Sequence, residues 1–163
     1  MNLSIRTAVL SELPEISEIY AHARAFMRQS GNPNQWKDSH PAQSILLDDI
    51  ARRQLYVCTE ADNILAVFAY IPGEDPTYRI IENGGWLNDH PYGVIHRIAV
   101  ARHQSGVATF CFQWALEQCP DLRIDTHRDN IPMRSALAKN GFTECGIIYL
   151  ANGDPRIAFH KTR

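Results

Sequence analysis

The alternation of apolar and polar residues predicts a chain that mixes short strands with amphipathic helices. Residues 3–7 alternate in the manner of a half-buried strand, and apolar residues then recur at helical spacing until Gly31 stops the pattern. Ser11 is the expected N-cap of this first helix, with Pro14 in its first turn. A second helix is predicted over residues 44–53, so the chain opens as a strand followed by two helices.

The remainder of the chain alternates between strands and helices. Strands are predicted over residues 55–59, 64–71, 93–100, 122–127, 142–150 and 156–161. Helices are predicted over residues 106–118, and between a cap at Asp129 or Asn130 and a stop at Gly141. A hairpin-rich first half is thus followed by a βαβα second half, which predicts an α/β or α+β fold built on a mixed sheet.

Two long connections interrupt this pattern, at residues 32–41 and 72–92. They contain Trp36 and Trp86, and Tyr92 closes the second one. Long loops on compact domains often cover binding sites. These aromatic side chains therefore either anchor the loops to the core or form walls of a substrate pocket.

The composition is that of one folded domain. The chain has 163 residues, 45% hydrophobic and 21% charged, so residues 1–163 are expected to form a single domain with a sizeable core. A net charge of −2 gives no general attraction for nucleic acid. No apolar run reaches the roughly 20 residues of a membrane span, and we expect a cytoplasmic protein without a membrane partner.

The spacing of cysteines and histidines indicates no metal site. The four cysteines are scattered without a CxxC pair, at Cys58, Cys111, Cys119 and Cys145. They are expected to be reduced thiols in the core, and Cys145 is favoured as a core residue over a nucleophile. The histidines form no HExxH set.

A short turn between a predicted strand and a predicted helix carries the first candidate chemistry. It consists of His103, Gln104, Ser105, Gly106, Val107 and Ala108. Such a turn directs backbone N–H groups and the positive end of the helix dipole at one point, where a pyrophosphate can bind. The alternative is that Gly106 and Ala108 only allow the helix to pack closely on the sheet.

A polar cluster at the end of the following strand is the second candidate. Residues 125–130 read DTHRDN, and ligands of open α/β sheets bind at the carboxyl ends of strands. The alternative for Asp129 and Asn130 is a plain helix cap.

Together these two segments resemble the GNAT superfamily of acetyl-CoA-dependent N-acetyltransferases. That family has a strand, an R/Q-x-x-G-x-G/A turn opening a helix, a second strand, an Asn, and a helix ending in Gly-Phe. Here the turn reads His103-x-x-Gly106-x-Ala108, and Asn130 is followed by Gly141-Phe142. The resemblance spans residues 3–161. It implies a mixed, mostly antiparallel sheet of six to seven strands, flanked by about four helices and splayed between the fourth and fifth strands.

The resemblance also implies acetyl-CoA as the cosubstrate. The backbone of Ile98, Ala99 and Val100 would lie beside the pantetheine arm, where a backbone N–H would polarise the thioester carbonyl. Asn130 would hydrogen-bond the arm, and residues 103–108 would hold the pyrophosphate. The amine would attack the thioester directly in a ternary complex, without an acyl-enzyme.

Two positions depart from the family pattern. His103 stands where the family prefers Arg or Gln. Leu137 stands where the family often has a Tyr that protonates the departing thiolate, and a leucine cannot donate a proton. An acid must then come from elsewhere, such as Tyr149, or from water.

A base is expected as well, because the attacking amine must be neutral. Histidine suits this role at neutral pH. His96 lies two residues before Ile98 on the fourth strand, so the two are expected on the same face, and His127 ends the fifth strand. Each histidine could instead be structural, and Glu82 and Asp125 are lesser candidates.

The sequence therefore predicts an N-acetyltransferase acting on a primary amine of a small molecule or peptide. Trp36, Trp86 and Tyr92 are the candidate walls of its acceptor pocket. One alternative is a GNAT-fold module that binds acetyl-CoA without turnover, which Leu137 keeps open, and another is an unrelated phosphate-binding α/β domain. A homodimer is also expected, because members of the family often pair.

Overall fold

Seven strands and four α-helices make up the part of the chain that the computed structural model describes, residues 2–101 and 106–163. The strands are β1 Leu3–Thr7, β2 Leu55–Glu60, β3 Asn63–Pro72, β4 Gly93–Val100, β5 Asp121–Thr126, β6 Thr143–Tyr149 and β7 Pro155–Thr162. The helices are α1 Leu13–Gln29, α2 Gln43–Ala51, α3 Val107–Gln118 and α4 Ile131–Lys139. This order of elements confirms the predicted one.

These strands form one mixed sheet in the order β1-β2-β3-β4-β5-β7-β6. Neighbouring strands are antiparallel, except that β4 and β5 are parallel. The parallel pair requires a crossover, and α3 supplies it. The predicted mostly antiparallel sheet with about four helices is therefore confirmed.

Apolar side chains cover both faces of the sheet. On one face, Phe112 of α3 and Leu137 of α4 pack in a cluster with Phe68 and Ile95 of the sheet. The opposite face carries a second cluster, in which α1 and α2 contribute Ile16, Tyr20 and Leu46. The fold thus holds β4, in the middle of the sheet, between two layers of helices.

The ends of the first two helices differ from the prediction. Ser11 is not a helix cap, because it lies inside a 3-10 turn, Leu10–Glu12, that precedes α1. The second helix ends at Ala51 rather than at residue 53, because Arg53 has a left-handed φ of 55°. Among the described helices, none combines the length and apolar character that a membrane crossing requires.

The two long connections are packed segments. Trp36 of residues 32–41 is buried and forms a T-shaped pair with Tyr20, with the two ring centres 5.6 Å apart. The segment after β3 contains a 3-10 turn, Pro76–Tyr78, and pairs with β6 through both backbone hydrogen bonds between Glu82 and Ile147, each 2.9 Å. The segment after β3 is therefore fixed to the edge strand β6 of the sheet.

Candidate active site

Strands β4 and β5 separate after two residue pairs. Their parallel ladder joins Gly93 to Leu122 and Val94 to Arg123, and then ends. From Ile95 onward, the edge of β4 that faces β5 has no ladder partner among the described residues. Backbone N–H and C=O groups on that edge can therefore hydrogen-bond a ligand in the gap. This gap is the splay expected between the fourth and fifth strands.

A β-bulge at Arg97 determines which side chains of β4 face the gap. Pairing with β3 advances three residues on β4 while it advances two on β3, and the extra residue, Arg97, has a φ of 54°. Regular alternation would place Ile95 and Ile98 on opposite faces, but both belong to the cluster beneath α3. The prediction that His96 and Ile98 share a face is therefore wrong, because the bulge lies between them.

A cavity of about 300 Å³ occupies the gap. Strand β4 contributes His96, Arg97 and Ile98 to its wall, and β5 contributes Asp125. The remaining polar lining comes from Gln35, His40, Asp75, Thr77, Thr126, Asn130 and Arg156. A volume of this size is at the lower end of small-molecule sites, and the polar groups of the lining can orient a ligand.

His96 is held by a carboxylate inside this cavity. Its Nε2 lies 3.0 Å from Oδ2 of Asp75, and the two side chains are only 24% and 16% exposed. The other oxygen of Asp75 accepts from the backbone N–H and the hydroxyl of Thr77, at 2.9 and 2.7 Å. When Nε2–H donates to this fixed carboxylate, Nδ1 of a neutral His96 keeps its lone pair and can take a proton.

The pKa of Asp75 reflects these contacts. Burial raises it, but the hydrogen bonds from His96 and Thr77 together outweigh burial and lower the pKa to about 2. Asp75 is therefore ionised throughout the neutral range and remains an acceptor for His96.

Asp125 is engaged in a different way. The hydroxyl of Tyr78 donates to its Oδ2 at 2.6 Å. Burial raises the pKa of Asp125, against the opposing effects of Tyr78, His96 and Arg156. The pKa of Tyr78 is raised well above its usual range by burial and by Asp125, so this hydroxyl stays a donor. One oxygen of Asp125 is thus occupied, which makes His96 the better placed proton acceptor.

A second cleft, of about 270 Å³, adjoins the first. Six of the residues predicted to bind acetyl-CoA line it, namely Ile98, Ala99, Val100, Gly106, Ala108 and Asn130. Ile98 and Asn130 line both cavities, so the two meet there. Of the other predicted residues, Val107 is buried in the core. His103, Gln104 and Ser105 lie outside the described residues.

The start of α3 lies in this cleft, and no side chain of the described residues caps it. Gly106 is its N-cap residue, with a left-handed φ of 92°, and its carbonyl accepts from Phe110 at 3.0 Å. The N–H groups of Val107, Ala108 and Thr109 come before that first helical bond, so they have no partner within the helix. They and the helix dipole favour an anion at this point.

The structure shows that Asn130 caps α4 and still has a donor for the predicted contact with a ligand. Its Oδ1 caps α4 by accepting from the backbone N–H of Met133 at 3.2 Å, and its Nδ2 donates to Oε1 of Gln35 at 2.9 Å. The capping alternative is therefore observed. One hydrogen of Nδ2 remains for a ligand at the junction of the two cavities.

His127 and Tyr149 lie in a different place. Both line an outer groove of about 650 Å³ and neither lines the cavity of His96. Nδ1 of His127 accepts from the backbone N–H of Asp129 at 3.0 Å, and burial together with the charge of Arg156 lowers its pKa. The Tyr149 hydroxyl donates to Glu82 at 3.1 Å. The structure does not bring these candidates to His96.

The three aromatic candidates also separate. Trp36 lines the cavity of His96, whereas Trp86 and Tyr92 do not. The ring centres of Trp86 and Tyr92 lie 4.2 and 3.9 Å from the guanidinium carbon of Arg123, which the two rings enclose. This cation–π stack anchors the segment after β3, as the loop-anchoring alternative expected.

Four titratable residues of the cavity were not predicted from the sequence, namely Asp75, Arg97, Arg156 and His40. Only Arg97 left a signal, as one of two adjacent charged or titratable residues inside the apolar run GVIHRIAV. The others come from loops or from β7, and their proximity depends on the tertiary fold.

Comparison with solved structures identifies the fold and the family. A GNAT-family acetyltransferase from Streptococcus agalactiae superimposes with a TM-score of 0.90, is 32% identical, and aligns over 99% of this chain and 95% of that one. A GNAT-family acetyltransferase from Listeria monocytogenes gives a TM-score of 0.67 at 16% identity, over 99% and 95% of the chains. The protein yncA from Salmonella typhimurium, solved with acetyl-CoA, gives 0.64 at 15% identity, over 98% and 93%.

The last two likenesses show the fold alone, because their identities are low. Neither a protein-family model nor a curated protein matches this chain. The streptococcal acetyltransferase shares nearly a third of its residues with the chain over almost the whole length of both. The chain therefore belongs to the GNAT family of acetyltransferases.

Proposed function

We propose that this protein transfers the acetyl group of acetyl-CoA to a primary amine of a small molecule or peptide. The observation that carries the proposal is the meeting of two cavities at Ile98 and Asn130. One has a helix start whose N–H groups suit an anion, and the other has a histidine suited to accept a proton. A transfer between two substrates needs such a junction, because both must reach one point.

The cleft has the chemical features that acetyl-CoA requires. The N–H groups at the start of α3 would bind the pyrophosphate, and Gly106 leaves room for its approach. The unpaired edge of β4, along Ile98, Ala99 and Val100, would hydrogen-bond the pantetheine arm. When bound there, acetyl-CoA supplies an activated acetyl thioester. The yncA structure, with the same fold and acetyl-CoA bound, supports this choice of cosubstrate.

His96 is the base in this proposal. Asp75 accepts from Nε2–H, so Nδ1 faces the amine with a free lone pair and receives its proton. A backbone N–H of the unpaired β4 edge stabilises the charge that develops on the carbonyl oxygen. Leu137 is fully buried in the core and contributes no proton, so water protonates the thiolate.

Ligand-induced stabilisation and thiol release test the proposal together. Acetyl-CoA should raise the melting temperature, because it binds the folded state only. Release of free CoA thiol on a panel of amines, with the N-acetyl product identified by mass spectrometry, then separates an enzyme from a module that binds without turnover. Stabilisation without thiol release on any amine would favour the binding module, and no stabilisation at all would remove both.

Gly106→Glu provides the matched site variant. It places a carboxylate at the proposed pyrophosphate site and should abolish stabilisation by acetyl-CoA. Gly153→Glu is the control, since Gly153 has the same φ of 92°, is exposed, and has open space around its Cα. Both variants place a glutamate at the same left-handed φ and add the same charge, but only one of them lies at the proposed pyrophosphate site. Residues 1–163 as a single domain, the homodimer and the cytoplasmic location stay predictions.

A further inference from the structure

The cavity beside His96 contains an arginine with an unused hydrogen-bond donor. Nη2 of Arg97 donates to Oδ2 of Asp49 at 2.7 Å. Its Nε is buried and has no hydrogen-bond partner among the described residues. A buried N–H without a partner is costly, so its presence in a cavity wall indicates an acceptor that arrives from outside.

A second arginine of the cavity brings charge that no carboxylate contacts. Arg156 is 6% exposed, and its Nη1 and Nη2 donate to the backbone carbonyls of Pro155 and Gln35, at 2.8 and 3.3 Å. In the described part of the chain, no ion pair within 4 Å involves Arg156. The charges of Asp125 and Asp154 act on it across a longer distance and oppose the lowering of its pKa by burial. The guanidinium is therefore held directly by neutral carbonyls and can still attract an anion.

The environment of His40 shows that the guanidinium groups act on one part of the cavity. Burial lowers the pKa of His40, and so do the charges of Arg97, Arg156 and Arg24, whereas Asp49 acts in the opposite direction. Asp75 instead bonds to Nε2 of His96. The two arginines therefore lie near His40, and the carboxylate that bonds directly to the proposed base is Asp75.

We propose that the acceptor is a small amino acid or a close analogue, with a carboxylate within a few bonds of its amine. This rests on the proposed function, in which the amine meets Nδ1 of His96. The carboxylate then accepts from Nε of Arg97 and lies in the field of Arg156. His96 and Arg97 are consecutive residues whose Cα atoms are about 3.8 Å apart, and the bulge turns both toward one cavity.

Cavity size restricts the acceptor further. About 300 Å³ holds an amino acid or a molecule of similar size. The N-terminus of a peptide lacks the neighbouring carboxylate, so it would leave the Arg97 donor unsatisfied. The geometry thus points to a free amino acid and away from a peptide.

Calorimetric titration of matched pairs into the CoA-saturated protein tests this inference without requiring turnover. The pairs are leucine with 3-methylbutylamine, phenylalanine with 2-phenylethylamine, and lysine with cadaverine, each differing by one carboxylate. We expect at least one amino acid to bind about tenfold or more tightly than its amine, because a charge-assisted bond is gained. Arg97→Met should remove that preference while the affinity for CoA stays unchanged.

Two further variants keep the test interpretable. Arg128→Met removes an equivalent charge from the exposed outer groove and should retain the preference. If Arg97→Met does not fold, Arg97→Lys keeps a cation for Asp49 but lacks the Nε–H donor, and it should reduce the preference.

Three results would overturn the inference. They are equal binding within every pair, no binding of any amino acid at about 10 mM, and a preference for the amino acid that Arg97→Met retains. Selective binding of an amino acid without formation of its N-acetyl derivative would instead refute the proposed catalysis and leave the anion site standing.

Discussion

The substitution Asp75→Asn tests the pairing on which the proposed base depends. In the folded protein the pKa of Asp75 falls from 3.8 to about 2. At about 1.4 kcal/mol for each pKa unit, this lowering corresponds to about 2 kcal/mol of stabilisation at neutral pH. That figure is an upper value, because the variant amide still accepts from Thr77 through its oxygen.

The pH dependence has a definite sign. A depressed carboxyl pKa stabilises the folded state above pH 3.8, and the stabilisation is lost as the pH falls toward 2. Urea unfolding of the wild type and Asp75→Asn should therefore differ by up to about 2 kcal/mol at pH 7, with a smaller difference at about pH 3. A difference that is absent at pH 7, or that does not shrink on acidification, would refute the assigned contacts.

Asp75→Asn should also lower turnover, and by more than its effect on stability would explain. The amide of the variant donates to Nε2, which moves the proton of neutral His96 to Nδ1 and removes the lone pair that accepts from the amine. We expect kcat to fall about ten- to a thousandfold. The kcat of His96→Ala should fall at least as far. The kcat of the double variant, which combines Asp75→Asn with His96→Ala, should fall no further, because the two residues act as a unit. Additive losses would contradict the coupling.

Three further variants probe the surroundings of the site. Gly106→Glu should abolish acetyl-CoA binding in a thermal-shift assay while Gly153→Glu binds normally, and equal behaviour of the two would contradict the assigned anion site. The Tyr20 hydroxyl donates to the bulge carbonyl of Arg97 at 2.7 Å. Tyr20→Phe should therefore lower the free energy of unfolding in urea by about 1 kcal/mol and raise the KM for the acceptor. An unchanged KM would show that this bond does not position Arg97. His127→Ala should change kcat by less than about threefold, because His127 lies outside the cavity, and a loss comparable to that of His96→Ala would move the base to the outer groove.

Much of the fold could be predicted because its signals are local. The apolar run of β4 begins at Gly93 and ends at Val100, and its predicted bounds agree with the observed strand. The cap of α4 at Asn130 and its stop at Gly141 likewise depend on residues next to each other in sequence. The predicted ends of α1 and α2 were wrong, because a 3-10 turn precedes α1 and a left-handed residue follows α2.

The site was only partly predictable because its contacts join distant segments. The bulge at Arg97 involves no glycine or proline, so nothing in the sequence marks it, and alternation then assigned His96 and Ile98 to one face. Asp75 lies 21 residues before His96 in a segment that resembled a loose loop, and their bond depends on how that segment crosses the sheet. Trp86 and Tyr92 were expected near a substrate, but the cation they enclose belongs to β5.

A crystal structure with CoA bound is the decisive experiment for the proposed cosubstrate site. We expect the pyrophosphate at the N–H groups that begin α3 and the pantetheine arm between β4 and β5, alongside Ile98 and Asn130, with its thiol directed toward the cavity of His96. CoA bound in the outer groove of His127 and Tyr149, or a thiol directed away from His96, would refute the proposed site.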